Sequence, residues 1–131
     1  MLKPKVKTEL IYPELSYKII GLLYDVSNRL GSGYKEKYYQ RALATEFKKA
    51  KLNFTEQVRI PLIYNGTKIG NYILDFLIEN KVALEIKKDN RFSRTNIEQV
   101  MAYLKTFKLK LGILANFTSE GVKYRRILNI Y

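Results

Sequence analysis

An α/β fold with a sheet covered on both faces is predicted by three features of the chain. Apolar residues recur at helical spacing in separate runs, a hairpin signal joins two alternating segments, and those segments are apolar on both sides. The order along the chain reads helix, helix, three antiparallel strands, helix, strand. At 131 residues there is material for one domain, assigned to residues 13–131 behind a basic lead-in at 1–12.

From Pro13, the residues Leu15, Ile19, Leu22, Leu23, Val26 and Leu30 fall on one helical face, and Gly31 closes this first helix as a C-cap. Gly31, Ser32 and Gly33 then turn the chain tightly. A second helix is expected at about residues 34–51, with Tyr39, Leu43, Phe47 and Ala50 on its apolar stripe. Glu36 precedes Tyr39 by three residues and Leu43 by seven, which assigns its carboxylate to the buried face. A plainer role is an acid complementing the helix dipole in the first turn. Lys35, Lys37 and Arg41 take the solvent-facing positions nearby.

Residues 54–64 alternate as a strand through Phe54, Val58, Ile60, Leu62 and Tyr64, with Pro61 marking an edge or the end of regular pairing. Asn65 and Gly66 signal a two-residue hairpin into residues 68–79. In that register Val58, Ile60 and Leu62 share a face with Ile69, Ile73 and Asp75. Tyr72, Leu74, Phe76 and Ile78 fill the other.

The stretch 72–88, YILDFLIENKVALEIKK, sets Asp75, Glu85 and Lys87 inside runs that read as buried strands. An unpaired charge in such a place costs on the order of several kcal/mol. Either an ion pair among these groups or a cation between the carboxylates must hold them, and the second makes the chain a candidate metal enzyme. Glu85 and Lys87 share one face, while Val82, Leu84 and Ile86 take the other. A loop of Asn80 and Lys81 alone would put Asp75 on the wrong side. A three-residue loop of Glu79, Asn80 and Lys81 puts it opposite Glu85. That odd-length loop, or a bulge beside Asp75, is therefore expected, with Asn80 or Lys81 in the left-handed region.

Residues 88–94, KDNRFSR, form a basic loop, and Thr95 with Glu98 matches a capping box opening a third helix that runs to about residue 108. Its stripe is Ile97, Val100, Met101, Leu104 and Phe107, with Gln99 and Tyr103 at the edge, one turn apart. An amphipathic rim accounts for that pair equally well. Residues 109–117, LKLGILANF, read as a buried strand. In the tail, Val122, Tyr124, Arg126 and Leu128 alternate like an extra edge strand, and a short helix is the competing assignment.

With no cysteine and no histidine, disulfides, thiolate sites and the commonest zinc ligand are excluded. Any metal must be a hard ion held by oxygens, so Mg2+ or Mn2+ is expected. The net charge of +12 points to a polyanionic partner, nucleic acid first, against the alternative of a merely lysine-rich surface. No apolar run reaches spanning length and the first ten residues have no apolar signal region, so no membrane partner and a cytoplasmic location are expected.

On these residues the chain resembles the PD-(D/E)XK nuclease superfamily and, within it, the GxxExxY group. Gly33, Glu36 and Tyr39 match the GxxExxY motif, Asp75 the superfamily aspartate, Glu85-Ile86-Lys87 the E-x-K, and Gln99 with Tyr103 the Q-x-x-x-Y of the helix that follows. Leu74 stands where the superfamily's name has proline. The resemblance implies a restriction-endonuclease-like core, a mixed central β-sheet flanked by α-helices on both faces. It also implies a metal-dependent nuclease hydrolysing phosphodiester bonds, with DNA the expected substrate. Asp75 and Glu85 would coordinate magnesium or manganese, with the Ile86 carbonyl as a further ligand and Glu36 completing the site. Lys87 would orient or deprotonate the attacking water, or stabilise the charge growing on the phosphate; Gln99 would help position the water, phosphate or metal shell, and Tyr103 would support it. Lys35, Lys37, Arg41, Lys88, Arg91 and Arg94 would grip the nucleic-acid backbone. A homodimer is compatible with the resemblance, although no self-complementary patch is legible. Two rivals are a nuclease-like binding module without catalysis and a partner subunit in which Asp75 and Lys87 form a purely structural ion pair.

Overall fold

The computed structural model describes residues 11–130. Most of the expected lead-in lies outside the described residues; Ile11 and Tyr12, its last two, are half-buried against the core. The elements are α1 (Pro13–Leu30), α2 (Glu36–Lys49), β1 (Phe54–Tyr64), β2 (Thr67–Ile78), β3 (Val82–Lys87), α3 (Arg94–Phe107), β4 (Leu111–Thr118) and β5 (Gly121–Leu128). Among the described residues no helix is long and apolar enough to cross a membrane.

The strands lie side by side in chain order. All neighbours are antiparallel except β3 and β4, which run parallel because α3 carries the chain back between them, so the sheet is mixed. Pro61 sits in edge strand β1, where a missing ladder donor is tolerated, and the tail forms the opposite edge, β5. On one face Ile19 and Leu23 of α1 and Leu43 and Phe47 of α2 pack on Phe76, Leu84, Ile86 and Ile113. On the other, Val100, Tyr103 and Leu104 of α3 pack on Ile60, Leu74, Ala83 and Leu114. Burying each large apolar side chain contributes roughly 1.5–3 kcal/mol. The central strands β3 and β4 are covered on both faces, which fixes the position of Glu85 and Lys87.

Three local expectations are corrected. The Asn65-Gly66 turn forms, but a bulge between Leu62 and Ile63 shifts the register by one residue. Val58 and Ile60 therefore face Leu74 and Tyr72, and not the expected companions Ile69, Ile73 and Asp75. The shift brings Leu74 into the core and leaves Ile69 and Ile73 exposed. Helix α2 begins at Glu36, two residues later than expected, because Lys35 takes an extended N-cap conformation. Helix α3 is capped by Ser93, whose hydroxyl accepts from the Asn96 N–H at 3.0 Å, so the Thr95 capping box is not used.

Between β2 and β3 the loop is the expected three residues, since Ile78 pairs with Val82. Of the two residues expected in the left-handed region, Asn80 takes it, and Glu79 takes it as well. Two bonds to Asn53 offset the strain at Glu79: its N–H donates to the Asn53 carbonyl at 2.8 Å, and its carboxylate accepts from the Asn53 N–H at 2.6 Å.

Gly112 lets α3 close onto β4. A Cβ there would meet Val100 Cγ1 at 2.5 Å and two Leu104 methyl carbons at 3.4 Å. Gly112→Ala is expected to destabilise the protein by about 1–3 kcal/mol through overpacking. Urea unfolding checks this; an unchanged midpoint would contradict the close seating of α3.

Candidate active site

The β2/β3 ladder ends at the Phe76–Leu84 pair, and one residue further on carboxylates take over from backbone partners. The Asp75 N–H donates to Glu85 Oε1 at 3.1 Å, and the Ile86 N–H donates to Asp75 Oδ2 at 2.8 Å. Asp75 thus stands opposite Glu85, as the odd loop required. On its other side Gln57 of β1 is skipped by the ladder and held at φ 51°. Its Nε2 donates to Asp75 Oδ1 at 3.4 Å and to Gln40 Oε1 at 2.9 Å. Leu74 packs under α3 while Phe76 packs under α1 and α2, so β2 turns over at Asp75. Of the two alternatives anticipated for Asp75, the odd-length loop is the one present; the register shift in β1 lies away from it, between Leu62 and Ile63.

Lys87 Nζ lies 3.6 Å from Glu85 Oε2. The ion pair in the site is therefore Glu85–Lys87, in place of the Asp75–Lys87 pair considered from sequence. One ammonium faces two acids. Glu85 is only 3% exposed, and burial, then the neighbouring Asp75 charge, push its pKa up to about 8. Burial also raises Asp75, against the Ile86 N–H that favours its charged form. Ionising both acids would place more negative charge here than Lys87 can offset, and a hard divalent cation bound by oxygen donors would relieve it. Among the described residues no three acidic side chains cluster; the two that meet here are Asp75 and Glu85.

Glu36 is exposed, contrary to its assignment to a buried face, because the late helix start leaves it as the first residue of α2. Its Oε2 accepts from the Lys88 N–H at 3.0 Å, directly after β3, and its charge contributes to raising Asp75. Lys88 Nζ donates to the Gly33 carbonyl at 3.2 Å. Tyr39 is buried, stacks on Phe117 at 4.0 Å between centroids, and donates its hydroxyl to the Gly31 carbonyl at 2.6 Å. Gly33, Glu36 and Tyr39 together clasp the α1–α2 turn against the end of β3.

Tyr103 belongs to the core and not to the rim of α3: it is buried, and its hydroxyl donates to the Ile73 carbonyl at 3.0 Å, two residues before Asp75. Burial first, then the charges of Glu85 and Asp75, hold its pKa well above the usual tyrosine value. Gln99, a turn earlier, is half-buried. The expected basic residues are all exposed, Lys35, Lys37 and Arg41 around α2, and Lys88, Arg91 and Arg94 beyond β3. Arg94 also pairs with Glu98 at 3.3 Å.

Two contributors escape sequence reasoning. Gln57 had no signal, since a left-handed glutamine inside a strand has no pattern of its own. Asn116 did have one, a lone amide in an otherwise apolar strand. It pairs in register with Lys87, is buried, and its Nδ2 donates to the Arg91 carbonyl at 2.7 Å, tying the loop after β3 to β4. Its Oδ1 is buried without a partner among the described residues.

The fold is shared with two solved structures. SSO0001 aligns with a TM-score of 0.57 at 22% identity over 92% of this chain, which spans 59% of SSO0001. An alkaline exonuclease (LHK-Exo) from Laribacter hongkongensis aligns with a TM-score of 0.51 at 14% identity, covering 97% of this chain and 72% of the exonuclease. No curated protein matches. A family-model match over residues 13–127, spanning every element from α1 into β5 and all of the site residues named in this section, shows that the chain belongs to the PD-(D/E)XK nuclease superfamily.

Proposed function

We propose that the protein is a divalent-metal-dependent nuclease that hydrolyses phosphodiester bonds of nucleic acid, with DNA as substrate and Mg2+ or Mn2+ as the ion. The observation that carries this is the meeting of Asp75 and Glu85 across β2 and β3 with Lys87 against them. Asp75 and Glu85 would hold the ion, with the Ile86 carbonyl as a further ligand and Glu36 adjusting the site from the end of α2. A bound divalent ion supplies a Lewis acid for the phosphate and an acidified water at neutral pH.

Lys87, its ammonium 3.6 Å from Glu85 Oε2, would orient or deprotonate the attacking water, or stabilise the charge growing on the phosphate. Gln99 positions the water or phosphate. Tyr103 acts through the backbone, by holding the Ile73 carbonyl and so the approach of β2 to Asp75. Lys35, Lys37, Arg41, Lys88, Arg91 and Arg94 neutralise substrate phosphates, in keeping with a net charge of +12.

The test is conversion of supercoiled plasmid to nicked circles. Wild type is expected to nick it with Mg2+ or Mn2+, to stop when the ion is chelated, and to lose the activity in Lys87→Ala. Binding of nucleic acid at low salt with no cleavage under either ion would replace the nuclease with a catalytically silent binding module.

A further inference from the structure

The exposed side of α2 carries an aromatic ring with two cations close to it. Tyr38 is 42% exposed, with Lys37 Nζ at 5.3 Å and Arg41 Cζ at 5.8 Å from its ring centroid. Neither cation forms an ion pair among the described residues. Lys37 and Arg41 also line a cleft of about 340 Å³ between α2 and β1, completed by Gln40, Glu56 and Gln57. The single carboxylate there, Glu56, accepts from Gln40 Nε2 at 3.3 Å, so the cleft has two cations against one acid. Gln57 lines this cleft and also donates to Asp75 Oδ1 at 3.4 Å, so a single side chain separates the cleft from the acids.

We propose that Tyr38 and the cleft adjoining it through Lys37 and Arg41 form a subsite for one unpaired nucleotide next to the bond to be cut. Its base stacks on Tyr38, its phosphate takes up the Lys37 and Arg41 cations, and the strand passes Gln57 toward Asp75 and Glu85. An aromatic face accepts any base, because every base has a π-face, but only when that base is outside a duplex stack. A duplex could engage the two cations through its phosphates and would gain nothing from the ring. The inference rests on the nuclease reading and narrows its substrate to strands unpaired at the site of cleavage.

Binding measured in an Asp75→Asn background, where cleavage does not interfere, tests this. The probes are a single-stranded oligonucleotide carrying 2-aminopurine and a blunt duplex of the same sequence. Single-strand binding is expected to quench the fluorescent base. Tyr38→Ala is expected to abolish the quench and weaken single-strand affinity by about tenfold to a hundredfold, the range of one lost base–aromatic stack. Tyr38→Phe should retain both, and duplex affinity should not change. Unaltered quench and affinity in Tyr38→Ala, or equal losses on single strand and duplex, would overturn the subsite. In either of those cases plasmid nicking by wild type leaves the nuclease reading standing, whereas absence of any nucleic-acid binding removes both.

Discussion

Asp75→Asn is expected to lower the cleavage rate by at least about a hundredfold while leaving the protein folded and able to bind nucleic acid. The reason lies in what asparagine keeps and what it loses. Its remaining oxygen can still accept from the Ile86 N–H, the shorter of the two bonds accepted by the Asp75 carboxylate, at 2.8 Å. Only the longer contact from Gln57, at 3.4 Å, is given up. The charge disappears from a site where burial already disfavours it, so removing it carries little stability cost. Activity and stability therefore separate: a nuclease loses its rate and keeps its fold. If the substitution unfolds the protein instead, the acids serve to hold the strands together, and the partner-subunit account gains. Circular dichroism beside the plasmid assay distinguishes the two.

The second large effect concerns stability against pH. Glu85 has an ordinary pKa of 4.5 and one of about 8 in the folded protein. The folded state therefore binds the proton more tightly than the unfolded state does. Stability from this group is complete below the unfolded value and is lost as pH rises through the folded one, and Asp75 shifts in the same direction. Metal-free protein is thus expected to be less stable at about pH 9 than at about pH 5, by on the order of 2 kcal/mol from this pair. Glu85→Gln should remove most of that slope, since its carbonyl oxygen can still accept the Asp75 N–H without carrying a charge. Added Mg2+ should raise the melting temperature of wild type increasingly as pH rises, and that of Glu85→Gln hardly at all. Melting curves across this pH range, with and without the ion, give the answer. A wild-type slope of opposite sign would mean that Lys87 fully compensates the acids.

The convergence of Asp75 and Glu85 was legible because it reduces to the parity of one loop. Side chains alternate along strands, and the count between Ile78 and Val82 decides whether the acids meet. The first helix was equally plain, with Pro13 at its start and Gly31 at its end. The bulge at Leu62 and Ile63 was hidden, since neither residue is distinctive; the choice of Leu74 over Ile73 for the core is a tertiary decision about which side chain α3 covers. Glu36 was misassigned to a buried face because two residues of helix start move a side chain from the stripe to the cap. Its contact with Lys88 spans 52 positions and no local pattern announces it. Spacing alone puts Tyr103 at the edge of the α3 stripe, but a buried tyrosine needs only one acceptor, and the Ile73 carbonyl provides it. The parallel pairing of β3 and β4 entered through the resemblance and not through residue patterns. The third helix between them is the crossover that parallel strands require.

The most direct test of a shared ion is calorimetric titration of Mn2+ into the wild-type protein, Asp75→Asn and Glu85→Gln near neutral pH. Wild type is expected to bind saturably and to release protons on binding, because Glu85 is largely protonated there until a cation displaces its proton. Both variants are expected to lose that binding. Undiminished Mn2+ affinity in both, or no saturable binding by wild type, would contradict the account.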